Sequence, residues 1–125
     1  MENNNGMTEE KRRHPRAEFN LPLSYKNLRS AGQPPIGSTS SNISEGGIRF
    51  KTNEFISLAC RMVLEITLPT TPKPIKAISK VAWIKKLPTS NFYEIGNQFL
   101  EISKEDRAHI MEFVKNTVKA SPHIY

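Results

Sequence analysis

The stretch IKAISKVAWIKKL, residues 75–87, decides the fold class. Ile75, Ala77, Ser79, Val81 and Trp83 share one parity, and Lys76, Ile78, Lys80, Ala82 and Ile84 the other. A period of two is the signature of a β-strand, and this is the longest strand candidate in the chain. Reading upstream, CRMVLEITLP alternates Met62, Leu64, Ile66 and Leu68, and the proline-rich TTPKP separates it from the long strand. STSSNIS and GIRFKT flank EGG, which reads as strand, tight turn, strand. Before them, KNLRSAGQPPIGSTSS reads as a loop, and FNLPLSY alternates Phe19, Leu21, Leu23 and Tyr25, with Pro22 suited to a sheet edge. Downstream, PTSN turns the chain into FYEIGNQFLEI, a further strand pattern.

The period then changes. Ser103 and Asp106 resemble a capping box, and Ile110, Val114 and Val118 recur every four residues, with Met111 and Phe113 on the same stripe. A helix over about residues 104–119 follows. The expected fold is mainly β: a six-stranded antiparallel β-barrel with a C-terminal α-helix and a flexible N-terminal arm. Residues 1–10 (MENNNGMTEE) are expected to be a disordered tail, 11–119 the domain, and 120–125 a short C-terminal tail. Strands do not alternate with helices, and no glycine-rich dinucleotide or P-loop fingerprint occurs.

The composition bounds the function. The 125 residues carry 18 basic and 12 acidic side chains, a net charge of +6, and 37% apolar residues. The excess favours an anionic partner, yet it is mild for a protein that binds duplex nucleic acid. Cys60 is the single cysteine, so no internal disulfide forms. No apolar run approaches the roughly 18 residues of a membrane span, and the N-terminus lacks the features of a signal peptide. Cytoplasmic location without membrane insertion is the expectation. Catalysis is not expected: His14, His109 and His123 have no metal-ligand spacing, Asp106 is the lone aspartate, and a Ser–His–Asp set cannot be assembled. No cofactor or metal is implied.

Binding chemistry is better represented. EKRRHPRAEF, residues 10–19, packs Lys11, Arg12, Arg13 and Arg16 around Pro15. Pro15 biases His14 toward extended geometry. Arg12 and Arg16 then lie about 13 Å apart at roughly 3.3 Å per residue, two guanidinium forks able to grip phosphates or a guanine edge. A second element, SNISEGG at 41–47, places Asn42 and Ser44 on one strand face with Ile43 toward the core. Gly46 and Gly47 permit positive φ and close backbone approach.

Together these elements resemble the PilZ domain, the bacterial receptor module for cyclic di-GMP. The family pattern, R-x-x-x-R followed by [D/N]-x-S-x-x-G, is matched by Arg12 and Arg16 in RRHPR and by Asn42, Ser44 and Gly47 in NISEGG. VAWI resembles the family's fifth strand and EIGNQFLEIS its sixth. The resemblance implies an arginine segment that wraps around the nucleotide, with Arg12 and Arg16 on phosphate and guanine. It implies that Asn42 and Ser44 hold the ligand against the barrel's outer surface while Gly47 leaves room. Arg13, Lys11 and Gly46 are further candidates, Lys11 for neutralising a stacked ligand dimer. The implied protein is a non-enzymatic second-messenger receptor that signals through an unidentified protein partner; a PilZ-type interaction scaffold with little or no nucleotide binding is the alternative. Single-stranded nucleic acid ranks last, since Phe19, Tyr25, Phe50, Trp83, Phe92, Tyr93 and Phe99 mostly occupy expected core parity.

Overall fold

A computed structural model of the chain describes residues 19–30 and 32–120. Six strands form: β1 (Pro22–Asn27), β2 (Ile36–Ser44), β3 (Gly47–Thr52), β4 (Arg61–Ile66), β5 (Ile75–Lys86) and β6 (Tyr93–Ile102). They close into an antiparallel barrel in the order β1-β2-β3-β6-β5-β4, with β4 returning to β1 through Leu23↔Ile66 and Tyr25↔Leu64. One helix, α1 (Lys104–Ala120), follows. Alternation drives the closure: one parity of each strand is apolar, and Leu23, Tyr25, Leu64, Ile66 and Ile95 turn it into the barrel.

Closure changes the reading of Pro22, because a barrel has no edge strand. Pro22 instead opens β1, the other position a sheet tolerates, and its carbonyl accepts the Thr67 amide at 2.9 Å. Phe19 and Leu21 precede the strand rather than belonging to it. Leu21 is nonetheless fully buried, and Ser40 holds it there: the Ser40 hydroxyl accepts the Leu21 amide at 2.9 Å and donates to the Phe19 carbonyl at 2.7 Å.

Two of the three register shifts in the barrel decide which side chains reach this surface. In β2, Ser40 pairs with Phe50 but Asn42 pairs with Arg49, so one extra residue, Ser41, is inserted. Ser40 therefore faces inward while Asn42, two residues on, faces outward. In β5, Val81 pairs with Asn97 but Trp83 pairs with Gly96. The shift turns Trp83 out of the interior, contrary to its expected parity with Val81; it is 38% exposed, whereas Val81 is 1% exposed. Phe19 and Phe92 are also exposed, so only Tyr25, Phe50 and Phe99 of the expected interior aromatics are buried. The exposed three lie on separate segments and make no stacking platform along one strand face.

The helix begins at Ser103, whose hydroxyl accepts the Asp106 amide at 3.0 Å as an N-cap. The reciprocal half of a capping box is replaced by a tertiary bond: the Asp106 carboxylate accepts the Lys76 amide of β5 at 3.2 Å. Ile110, Phe113 and Val114 face the barrel, and Phe113 meets Phe19 edge-on at 5.6 Å. Burial of each such side chain contributes on the order of 2 kcal/mol. Met111 and Val118, expected on this stripe, are instead exposed. No described helix is long and apolar enough to cross a membrane.

Candidate functional site

The β2–β3 hairpin carries the second motif. Its two-residue turn, Glu45–Gly46, joins the pair Ser44↔Gly47. The Ser44 hydroxyl accepts the Gly46 amide at 3.2 Å, and the Gly46 carbonyl accepts the Phe99 amide of β6 at 3.0 Å. The turn is thus stitched to the neighbouring strand. Arg107 of α1 adds a third tie, donating to the Glu45 carbonyl at 3.0 Å.

Glycine works here through space rather than through backbone sign. No described glycine has a positive φ; Ala59 and Thr89 do, at 66° and 55°. At Gly47, which pairs with Gln98, an added Cβ would run into the Asn97 carbonyl oxygen, so the missing side chain is what lets β3 approach β6.

Asn42 and Ser44 alternate with Ile43, whose side chain is fully buried, as their spacing requires. Both lie on the outer parity, yet only 4% and 7% of their surfaces are exposed, respectively, in a region where α1 packs over β2. Lys11, Arg12, Arg13 and Arg16 lie outside the described residues.

Strand register extends the site beyond the motif. Asn42 pairs with Arg49, Arg49 with Gly96, and Gly96 with Trp83, forming one outward-facing row across β2, β3, β6 and β5. An added Cβ at Gly96 would collide with the Trp83 indole nitrogen, so the ring rests on bare backbone. The Arg49 guanidinium stands 5.9 Å from the centre of the indole. Arg49 Nε lies 3.3 Å from Glu94 Oε2 as an ion pair without hydrogen-bond geometry, and Ser41 donates to the same carboxylate oxygen at 2.8 Å. A partly exposed pair of this kind contributes up to about 1 kcal/mol. The row therefore offers a fixed cation, an amide and an aromatic face together. No local sequence pattern marks Arg49 or Glu94 as site residues; a glycine inside a strand, Gly96, signals only that something approaches closely there, and the register supplies Trp83.

Beneath the row, inside the barrel, Ser79 donates to Asn97 Oδ1 at 2.9 Å, while Asn97 Nδ2 is buried with no partner among the described residues. Away from the row, burial pushes the Tyr25 phenol up, with the Glu54 carboxylate adding to the shift. Among the described residues no group of histidine, cysteine, aspartate and glutamate could hold a metal ion.

Known proteins share this architecture. The inhibitor of motility MotI/DgrA of Bacillus subtilis superposes with a TM-score of 0.78 at 20% identity, over 90% of this chain and 54% of its own. The PilZ domain of YcgR from Escherichia coli, with c-di-GMP, gives 0.66 at 12% identity, over 89% of this chain and 94% of that domain. The complex of K. pneumonia MrkH with c-di-GMP gives 0.66 at 17% identity, over 89% of this chain and 54% of MrkH. The chain thus spans about half the length of two of these proteins and nearly all of the isolated domain. No curated protein sequence matches it. At these identities the likeness establishes the fold, and a sequence model of the PilZ domain matches residues 10–116. The chain belongs to the PilZ domain family.

Proposed function

We propose that the chain is a cyclic di-GMP receptor that binds the nucleotide on the outer face of the barrel, without catalysis, and signals through a protein partner in the cytoplasm. One observation carries the reading: the row from Asn42 to Trp83 sets hydrogen-bonding, cationic and aromatic groups side by side. Cyclic di-GMP asks for that combination, having two phosphates, two purine faces and two guanine edges. YcgR and MrkH, which share the fold, are described in complex with c-di-GMP, which supports the same ligand here.

In this reading Arg12 and Arg16 grip phosphate and guanine, with Arg13 and Lys11 adding positive charge. Asn42 and Ser44 supply the opposing hydrogen bonds, and Gly46 and Gly47 keep the turn close to β6. The arginine segment, within a domain spanning 11–119, closes over the ligand, so binding alters the surface that a partner reads. Calorimetric titration of the full chain tests this. Saturable binding of cyclic di-GMP, absent with GMP at equal concentration, is expected. No heat with cyclic di-GMP, or equal binding of GMP, overturns the reading and leaves the interaction scaffold.

A further inference from the structure

Beside its barrel-facing side, α1 carries a second stripe, Ala108, Met111, Lys115 and Val118. At about 100° per residue it lies roughly 120° around the helix from Ile110, Phe113 and Val114. Met111 and Val118 are each 48% exposed. With Glu112 and Glu45 the stripe lines a groove open along the helix flank.

We propose that this groove is a self-association surface, on which the α1 helices of two copies pack antiparallel about a two-fold axis at residue 113. The spacing of the stripe is its own reverse. Reflected about 113, Ala108 meets Val118 and Met111 meets Lys115, so a small residue faces a large one and a lysine stem lies along a methionine. The Lys115 ammonium then falls one residue, about 1.5 Å along the axis, from the level of Glu112 in the second copy. Charge along the helix selects the same direction. Before the midpoint α1 carries Glu105, Asp106 and Glu112 against Lys104 and Arg107, a net charge of −1, while Lys115 and Lys119 after it give +2. Antiparallel packing sets the basic half of each helix beside the more acidic half of the other; parallel packing would stack Lys115 on Lys115. The stripe spans only about 15 Å, so the contact falls short of the roughly 1,600 Å² of a standard stable interface and gives a weak, concentration-dependent dimer. The inference does not depend on nucleotide binding.

Sedimentation velocity of the full chain, from about 10 to about 500 µM, is the test for a contact of this size. The weight-average sedimentation coefficient should rise toward that of a dimer. Met111→Lys and Lys115→Glu should each weaken association about tenfold or more, and Glu112→Lys combined with Lys115→Glu should restore it. All three positions lie outside the barrel-facing stripe, so thermal melts should match the parent. A monomer at every concentration, association untouched by Met111→Lys, or a double variant as weak as Lys115→Glu alone would each overturn the proposal. Zero-length cross-linking of mixed isotope-labelled and unlabelled protein should join Lys115 of one copy to Glu112 of another. Cross-links to Glu112 from Lys11 of the same copy, with none between copies, would place the chain's own N-terminal segment in the groove and also overturn it.

Discussion

The indole of Trp83 occupies the space that a side chain at Gly96 would need. These two residues sit opposite each other on β5 and β6, and Arg49 stands over the same ring. The outer face is therefore held by an absence as much as by contacts. Gly96→Ala should displace the indole and cost about 1–3 kcal/mol, the usual penalty of an inserted methyl in a packed site. Trp83 is the only tryptophan, so its emission reports the change directly. An unshifted emission maximum with an unchanged melting temperature would mean that the ring does not rest on Gly96.

That relationship also shows where legibility ended. The six strands and the outward parity of Asn42 and Ser44 follow from alternation, and the terminal helix from the change of period after Ser103. The face of Trp83 does not, because the bulge after Val81 inserts one residue and reverses parity without any local sign. The expected place of Met111 and Val118 on the barrel side fails for a related reason. A four-residue spacing drifts around a helix of 3.6 residues per turn, and only the packing of Ile110, Phe113 and Val114 shows which edge of the stripe meets the barrel. The pairing of Arg49 with Glu94 and the bond from Lys76 to Asp106 join distant segments, so no local pattern announces them. The arginine motif was legible as chemistry, through its spacing and Pro15.

Gly47 should be intolerant of alanine, since the added Cβ meets the backbone carbonyl of Asn97 and no rotamer relieves it. Gly47→Ala should destabilise the fold by about 2–3 kcal/mol. Gly32→Ala or Gly37→Ala, where nothing lies within 4 Å of the new atom, should melt close to the parent. Equal melting temperatures for all three would contradict the close approach of β3 to β6.

Ser103→Ala should cost about 1 kcal/mol by leaving the Asp106 amide uncapped. Ser44→Ala should cost a similar amount, because its hydroxyl closes the turn through the Gly46 amide. Ile43→Asn should be far more damaging, since it buries an unpaired amide in the barrel. Chemical denaturation ranks the three, and Ser44→Ala melting as low as Ile43→Asn would mean that the β2 faces are reversed.

Tyr25 gives the fold an alkaline limit. Its phenol is buried, with no hydrogen-bond partner among the described residues, and its pKa is raised chiefly by burial and secondarily by Glu54. The unfolded chain ionises this group near pH 10, so its contribution is complete below that pH and is lost as pH climbs toward the folded value. Tyr25→Phe should be nearly neutral at pH 7 and should gain on the parent above about pH 10. Parallel stability curves across that range would contradict the assignment.

Arg12→Ala and Arg16→Ala should each weaken cyclic di-GMP binding by roughly 1.5–3 kcal/mol, the range for hydrogen bonds to charged groups. Titration calorimetry reads the loss, and either variant binding like the parent would remove that arginine from the site.

Amide hydrogen exchange with and without saturating cyclic di-GMP tests the central claim most directly, because it reports binding and its location in one measurement. Slowed exchange is expected at residues 12–17 and 42–47 together, with α1 protected to the same degree in both states through Ile110, Phe113 and Val114. No ligand-dependent change in either segment, or protection confined to 42–47 with none at 12–17, would contradict a nucleotide clamped between the arginine segment and the β2–β3 hairpin.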